Sequence, residues 1–516
     1  MDAPRLDGLI VSGARQLGQS TLLERAARAA SGFAALGIAE NDAVALVLRN
    51  DFPFFEAAMG AGLVGAYAVP VNWHFRTDEA GYVLRDCGAR AVVVHADLLP
   101  QIRDGIPAGV QVFAVPTPPE IRDAYGIPAE AGTLPAGAAG WDEWVATQAP
   151  WTRPPRALRS NMIYTSGTTG RPKGVRRQPP TPDMQAVLLG MVSRIFDIRP
   201  GEGIRTVVTG PVYHSAPNLY ALSAVRDGGL VILQPRFDAE DLLRQVERHR
   251  ITHLHMVPTM FVRLLKLPAE VRRRYDLSSL AFVTHAAAPC PPDVKRQMIE
   301  WWGPVINEYY GGTETGGAVF HTSAEALGKP GTVGRPIDGA VVKIFDASGR
   351  ELGPGEIGEV YLRIRGFPDF TYHGMDDKRR EVERDGLITC GDVGYLDADG
   401  YLFLCDRVRD MVISGGANIY PAEIESVLIG MPGVQDCAVF GVPDEEYGEA
   451  LAAYVEPQDG ATLTADAVRA WLRERIAGYK VPKLIRFDRG LPREDSGKIF
   501  KRKLRAPYWE KAGRQI

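Results

Sequence analysis

No stretch of this chain restricts its architecture more than Tyr164-Thr165-Ser166-Gly167-Thr168-Thr169-Gly170-Arg171-Pro172-Lys173-Gly174-Val175. Residues 161–164 read as a strand, and the glycines, hydroxyls and proline behind them continue neither a strand nor a helix. Glycine lets backbone N–H groups converge on an anion. The hydroxyls of Thr165, Ser166, Thr168 and Thr169 add donors and Lys173 adds positive charge, a combination suited to a polyphosphate. A plain surface turn needs fewer glycines and no such cluster. The segment is not a Walker A loop, because Gly-Lys must there precede Ser or Thr, whereas Pro172-Lys173-Gly174 occupies the place.

The surrounding pattern supplies a scaffold for such a loop. Thr21 and Glu24 have capping-box spacing, and the Ala/Leu-rich run after them ends near Gly37. Residues 43–48, 67–71 and 91–94 read as strands and 54–63 as a helix, which predicts an α/β core with largely parallel strands. Residues 107–155, rich in Pro, Ala and Gly, read as a surface excursion. A strand at 251–257 and a helix at 258–267 follow. After Gly331 the short runs 341–345, 359–364 and 401–404 predict a β-rich subdomain. After Arg407, residues 422–430, 437–442, 451–455 and 465–476 alternate helix and strand again. With 516 residues, more than one domain is expected. The fold class is therefore α/β: a large N-terminal domain of α/β sheets with a β-rich subdomain (1–408) and a small, mobile C-terminal α/β domain (409–516).

A formal charge of −4 argues against a nucleic-acid binder held by a broad positive field. Cys87, Cys290, Cys390, Cys405 and Cys437 show no metal-ligand or disulfide spacing, as in reduced, cytoplasmic proteins. Met1-Asp2-Ala3-Pro4-Arg5 leads into no long apolar stretch, and no apolar run is long enough to cross a membrane, so neither a secretory leader nor integral membrane contact is expected.

The glycine-rich loop resembles the signature of the adenylate-forming superfamily, which includes acyl-CoA synthetases, and four further segments match it in order between about Thr21 and Leu504. The resemblance implies ATP, Mg²⁺ and coenzyme A as reactants and a small carboxylic acid as partner; the sequence does not fix the oligomeric state, and a homodimer is one assembly open to the chain. In Tyr309-Tyr310-Gly311-Gly312-Thr313-Glu314, it implies that Tyr310 and Gly311 meet adenine, Thr313 a phosphate and Glu314 the metal. Asp392 in Cys390-Gly391-Asp392 would accept from the ribose hydroxyls, with Arg407 as a second contact. Asp397-Ala398-Asp399-Gly400 reads instead as a hairpin turn. Arg409 stands at the hinge, where relatives commonly carry Asp or Lys, and Ser414, Gly415 and Gly416 would line a pantetheine tunnel. Lys498, in Ser496-Gly497-Lys498, takes the role of the catalytic lysine beside the α-phosphate. Lys501 and Lys503 would help hold the phosphates of coenzyme A.

His214 matches a residue near the acyl pocket, as a gate or adenylate contact. Ala287, Ala288 and Pro289 border adenine and the acid, and Ala286 replaces a Gly common in relatives. His253 and His255 alternate on one strand, read as packing before metal binding, and Trp301-Trp302 as amphipathic packing. The Ala-Ala-Ala-Pro-Cys-Pro run and Trp301-Trp302-Gly303-Pro304 resemble bile-acid or steroid-type and fatty-acyl-CoA ligases, which implies a bulky hydrophobic acid. Aromatic acids of the benzoate or coumarate type stay open beside it. Two other readings also stand: loading of a separate carrier protein, and a nucleotide-binding protein without catalysis.

Overall fold

The computed structural model describes residues 8–157, 159–165, 171–199, 201–407, 410–414, 417–493 and 499–511. It is a mixed α/β protein with a large N-terminal assembly of sheets and a small C-terminal unit. The strands Ala43–Val47, Tyr67–Pro70, Ala89–His95, Gln111–Val115 and Ala139–Gly140 form one parallel sheet. Parallel strands require crossovers, and the helices Phe52–Leu63 and Thr77–Asp86 supply two of them. Asp51 caps the first, its side chain accepting from the amide of Phe52 at 2.8 Å.

A second sheet of fourteen strands changes character along its length. Leu9–Ser12, Leu230–Leu233, Arg205–Val208, His253–Met256, Phe282–His285 and Ile306–Gly312 run parallel. From Gly316–His321 onward, through Thr332–Pro336 and Leu402–Arg407 to Ala340–Phe345, neighbours are antiparallel. The hairpin joining Ile306–Gly312 to Gly316–His321 is thus where the parallel half ends. Open α/β sheets bind ligands beyond the carboxyl ends of their parallel strands, and the segments after Val208, Met256, His285 and Gly312 all reach one cavity.

Two sequence expectations change. The first long helix begins at Gln19 with Gly18 as its cap, not at Thr21 with Glu24, because the preceding antiparallel pair delivers the chain there already turned. Residues 107–155 are no surface excursion. They hold the buried strand Gln111–Val115, the helices Pro119–Tyr125 and Trp141–Ala146, and a fully buried Trp141 whose indole donates to Glu56 at 2.7 Å. The β-rich region after Gly331 is hydrogen-bonded into the fourteen-stranded sheet through Thr332–Pro336. The hairpin turn at Asp397–Gly400 is present, and Lys329 bridges both aspartates at 2.7 and 2.6 Å.

The C-terminal unit has its own core. The hairpin Val434–Asp444 with Gly448–Pro457 packs Val439, Leu451 and Val455 against Ile424 and Leu428 of the helix Pro421–Ile429 and Val468 and Leu472 of Ala465–Arg473.

Candidate active site

The cavity at the strand ends has a volume of about 3250 Å³ and reaches from the apolar faces of two helices to the C-terminal unit. Thr313 and Glu314, at the tip of the hairpin, line it. A bulge at Tyr310/Gly311 turns the strand there, and a methyl group at Gly311 would stand 1.8 Å from the carbonyl oxygen of Gly316, so only glycine fits. The amide of Gly312 donates to Thr315 Oγ1 at 2.8 Å, closing the turn. Thr313 Oγ1 donates to Ser215 Oγ at 2.8 Å, which ties the tip to the first residue of the helix Ser215–Asp227. A helix N-terminus presents unpaired amides and a partial positive charge, and it favours an anion.

Arg177 holds the tip from behind. Its guanidinium donates to the carbonyls of Thr313 and Glu314, each at 2.7 Å, and to that of Pro368. It lies between the rings of Phe367 and Phe370. Burial pushes its pKa down to about 10, which leaves it cationic at neutral pH. The Glu314 carboxylate accepts from the Tyr372 hydroxyl at 3.0 Å, and Lys173 Nζ stands 4.8 Å from the centre of the Tyr372 ring. Thr165 and Lys173 face each other across the hairpin Ile163–Thr165 and Lys173–Arg177. Sequence reading missed Arg177, Tyr372 and Ser215. The first two lie 136 and 58 residues away from their partners on the tip, and no local spacing announces them.

A second cluster forms around Tyr310. Its hydroxyl donates to Asp392 Oδ2 at 2.7 Å, and Arg407 Nε lies 3.5 Å from Asp392 Oδ1 on the paired strand. Burial and the Asp392 charge raise the Tyr310 phenol well above its ordinary pKa, so it stays neutral. Tyr310, Gly311, Asp392, Arg407, Thr165, Lys173, His214, Ala287, Ala288 and Pro289 all line the cavity with Thr313 and Glu314. The His214 ring lies 4.4 Å from that of Tyr213 at the start of the same helix. Ala286 is buried, and it is Ala287 that takes a left-handed backbone, with φ of 77°. This costs a non-glycine residue about 1–2 kcal/mol, and it turns Ala287 to Pro289 along the cavity wall.

Ser414 pairs with Ala417 and Gly448 in the C-terminal unit and does not line the cavity in this arrangement. Lys501 lines it but is ion-paired with Glu425 at 2.9 Å. Ser166, Gly167, Thr168, Thr169, Arg409, Gly415, Gly416 and Lys498 lie outside the described residues. The two units touch through Lys266, whose ammonium donates to the carbonyls of Val434 and Gln435 at 3.1 and 2.6 Å.

Lys295 and Glu308 also line the cavity and belong to a buried charge cluster that the sequence did not announce. Lys295 donates to Glu308 and lies 3.0 Å from His321 Nε2, which is 2.9 Å from Glu308. Despite desolvation, Lys295 and the neighbouring histidines hold the Glu308 carboxyl well below the usual range.

A feruloyl-CoA synthase from Amycolatopsis sp is 35% identical to this chain over 509 residues, covering 96% of it and 95% of the relative. The long-chain-fatty-acid–CoA ligase FadD13 of Mycobacterium tuberculosis is 32% identical, covering 93% and 91%. Among solved structures, the o-succinylbenzoate CoA synthetase MenE of Bacillus subtilis, in complex with its acyl-adenylate OSB-AMP, superposes with a TM-score of 0.79. It is 26% identical over 96% of this chain and 95% of that one. The family model described as AMP-binding enzyme matches residues 4–367 and that described as AMP-binding enzyme C-terminal domain matches 423–498. The chain belongs to this AMP-binding family, that of the adenylate-forming acyl-CoA synthetases.

Proposed function

We propose that this AMP-forming acid–CoA ligase acts in two half-reactions on a hydrophobic carboxylic acid of aromatic, steroid-type or fatty character. In the first, a carboxylate oxygen attacks the α-phosphorus of ATP, the bond to the bridging β-phosphate oxygen breaks, and pyrophosphate leaves. In the second, the coenzyme A thiol gives up its proton and attacks the acyl carbonyl carbon, and AMP leaves. One observation carries this reading: the Tyr310–Asp392 pair opens onto the same cavity as the Thr313–Glu314 tip and the apolar helix faces. That arrangement supports a nucleotide and an acid sharing one enclosure, which would bring the reacting atoms together.

Tyr310 and Gly311 are assigned to adenine, with Ala287, Ala288 and Pro289 bordering it, and Asp392 and Arg407 to the ribose. Thr165, Ser166, Gly167, Thr168, Thr169 and Lys173 are assigned to the triphosphate and Thr313 to the α-phosphate. Glu314 offers a hard carboxylate oxygen beside Lys173 and Tyr372 and is the residue that would hold Mg²⁺. When bound, that ion supplies neutralisation of the phosphate charge. His214, at the head of the helix Ser215–Asp227, is assigned to the adenylate or to the thiol entrance. Lys498 supplies the ammonium that stabilises charge building at phosphorus. Rotation about Arg409 would exchange it for Ser414, Gly415 and Gly416 as the lining of the pantetheine channel. The domain limits proposed are 1–408 and 409–516, the location cytoplasmic and the assembly a homodimer.

Incubation with ATP, magnesium and a panel of acids tests the reading. Pyrophosphate release is expected without coenzyme A, and thioester only after its addition. Lys498→Ala is expected to lose the first step. A variant that activates acid as fast as the parent removes that assignment.

A further inference from the structure

Part of the cavity is walled by apolar side chains of two helices, which also bring Gln185 and Arg226 to it. Leu188, Met191 and Ile195 line it from the helix Pro182–Phe196, and Leu219 and Leu222 from Ser215–Asp227. The cavity also meets His255, on the strand His253–Met256, and Tyr309, next to Tyr310 in Ile306–Gly312. Successive strand residues point to opposite faces, so Tyr309 is turned from the side that Tyr310 serves. His255 Nε2 and Tyr309 Oη are 3.0 Å apart, and the two residues are only 3% and 7% exposed. Both rings meet Phe196 edge-on, with centroids at 5.6 and 5.7 Å. The tyrosine is held from its other side as well, since a methyl group at Gly317 would come within 2.9 Å of its ring.

The pair has hydrogen-bonding capacity that its mutual bond does not use. Burial pushes the His255 imidazole down to about 4, so at neutral pH it carries one N–H and one lone pair. If Nε2 accepts the phenolic hydrogen, Tyr309 Oη keeps two lone pairs for a third group. If Nε2–H donates instead, Oη keeps its hydrogen and one lone pair. By changing tautomer the pair serves a donor or an acceptor equally. An apolar wall with an adaptable polar pair in it orients a ligand that is apolar along its body and polar at its far end. The ring edges around the pair favour a cyclic body over a flexible chain.

We propose that His255 and Tyr309 read an oxygen atom at the distal end of the acid, so that the preferred substrates are cyclic acids bearing a ring hydroxyl or ring ketone. This rests on the ligase reading above and narrows it. The bond gained is a neutral one added to a pair already satisfied internally, so an acid lacking the oxygen is accepted but disfavoured by about tenfold.

The test compares matched acids: 3-phenylpropanoic with 3-(4-hydroxyphenyl)propanoic acid, and 3-cyclohexylpropanoic with its 4-oxo counterpart. For each, kcat/KM of pyrophosphate release is measured, together with Kd by calorimetry in the absence of ATP. The parent is expected to favour the oxygenated member of each pair by about tenfold, and Tyr309→Phe to bring the ratio close to one. His255→Gln, which keeps a donor–acceptor partner for Oη, is expected to retain most of the preference. A parent that does not discriminate, or a Tyr309→Phe enzyme with the parental ratio, overturns the proposal while leaving the ligase reading intact. Oxygen-dependent binding that Tyr309→Phe removes, with no pyrophosphate from any acid, upholds the polar pair and overturns the ligase reading instead.

Discussion

Replacing Arg177 by Met keeps most of the side-chain volume between Phe367 and Phe370 while deleting three hydrogen bonds to the carbonyls of Thr313, Glu314 and Pro368. A hydrogen bond from a charged donor contributes about 1.5–3 kcal/mol, and a buried acceptor left alone costs about 1–3 kcal/mol. These figures describe the same loss from two sides and are not summed. The charged donor's own desolvation, which lowers its pKa to about 10, offsets part of the gain. A net destabilisation of about 4 kcal/mol is therefore expected, at the upper end for single substitutions. The effect on rate is separate. The tip carries both Thr313 and Glu314, and a displacement of about 1 Å at a positioned group lowers the rate by about a hundredfold. Urea denaturation and initial rates of pyrophosphate release measure the two effects on one preparation. A variant within about 0.5 kcal/mol of the parent in stability and within about threefold in kcat/KM would show that the tip holds its geometry without Arg177, and the reasoning fails.

Three further outcomes follow from the geometry. Ala287→Gly relieves a left-handed backbone and should raise stability by about 1 kcal/mol, less the entropy that glycine adds to the unfolded chain; a fall in the urea midpoint argues against strain there. Glu308→Gln leaves Lys295 buried without its counter-charge and should cost about 3–5 kcal/mol, read by urea denaturation, and a cost below 1 kcal/mol would mean that the cluster is not charged. His255 has a folded pKa of about 4 against 6.5 unfolded, so between these values the unfolded chain binds the extra proton. Stability is then lost as pH falls from 6.5 towards 4, by up to about 3 kcal/mol from this group. The parent's stability should drop more steeply across that window than that of His255→Gln, and parallel pH profiles for the two contradict the buried, neutral imidazole.

What the sequence made legible was local. The strands at 43–48 and 91–94 depend on residue types within a few positions, and so does the choice of Tyr310, Glu314 and Asp392, which all line the cavity. The strand and helices between 107 and 155 escaped because elements of five to seven residues, Gln111–Val115 and Pro119–Tyr125 among them, are too short to show a period among prolines. The continuity of the large sheet depends on the pairing of Thr332 with Phe403, a contact between distant segments with no local signature. Arg177, Tyr372 and Ser215 support the tip through backbone carbonyls or single hydroxyls. Only the folded chain shows that Arg177, in a basic stretch beside Arg176, is buried and spans three carbonyls. His255 read as a packed strand residue, and packed it is; its place on the cavity wall depends on the parallel neighbours of its strand.

In the proposed reaction ATP is cleaved between its α- and β-phosphates by a carboxylate held in the cavity. Single-turnover reaction of the enzyme with α-³²P-labelled ATP, magnesium and a competent acid, quenched before coenzyme A is added, measures this directly. Label should appear in an enzyme-held acyl-adenylate equimolar with released pyrophosphate, and move to AMP as acyl-CoA forms when the thiol is supplied. Label recovered as ADP with orthophosphate released, at the same rate whether or not acid is present, would contradict it.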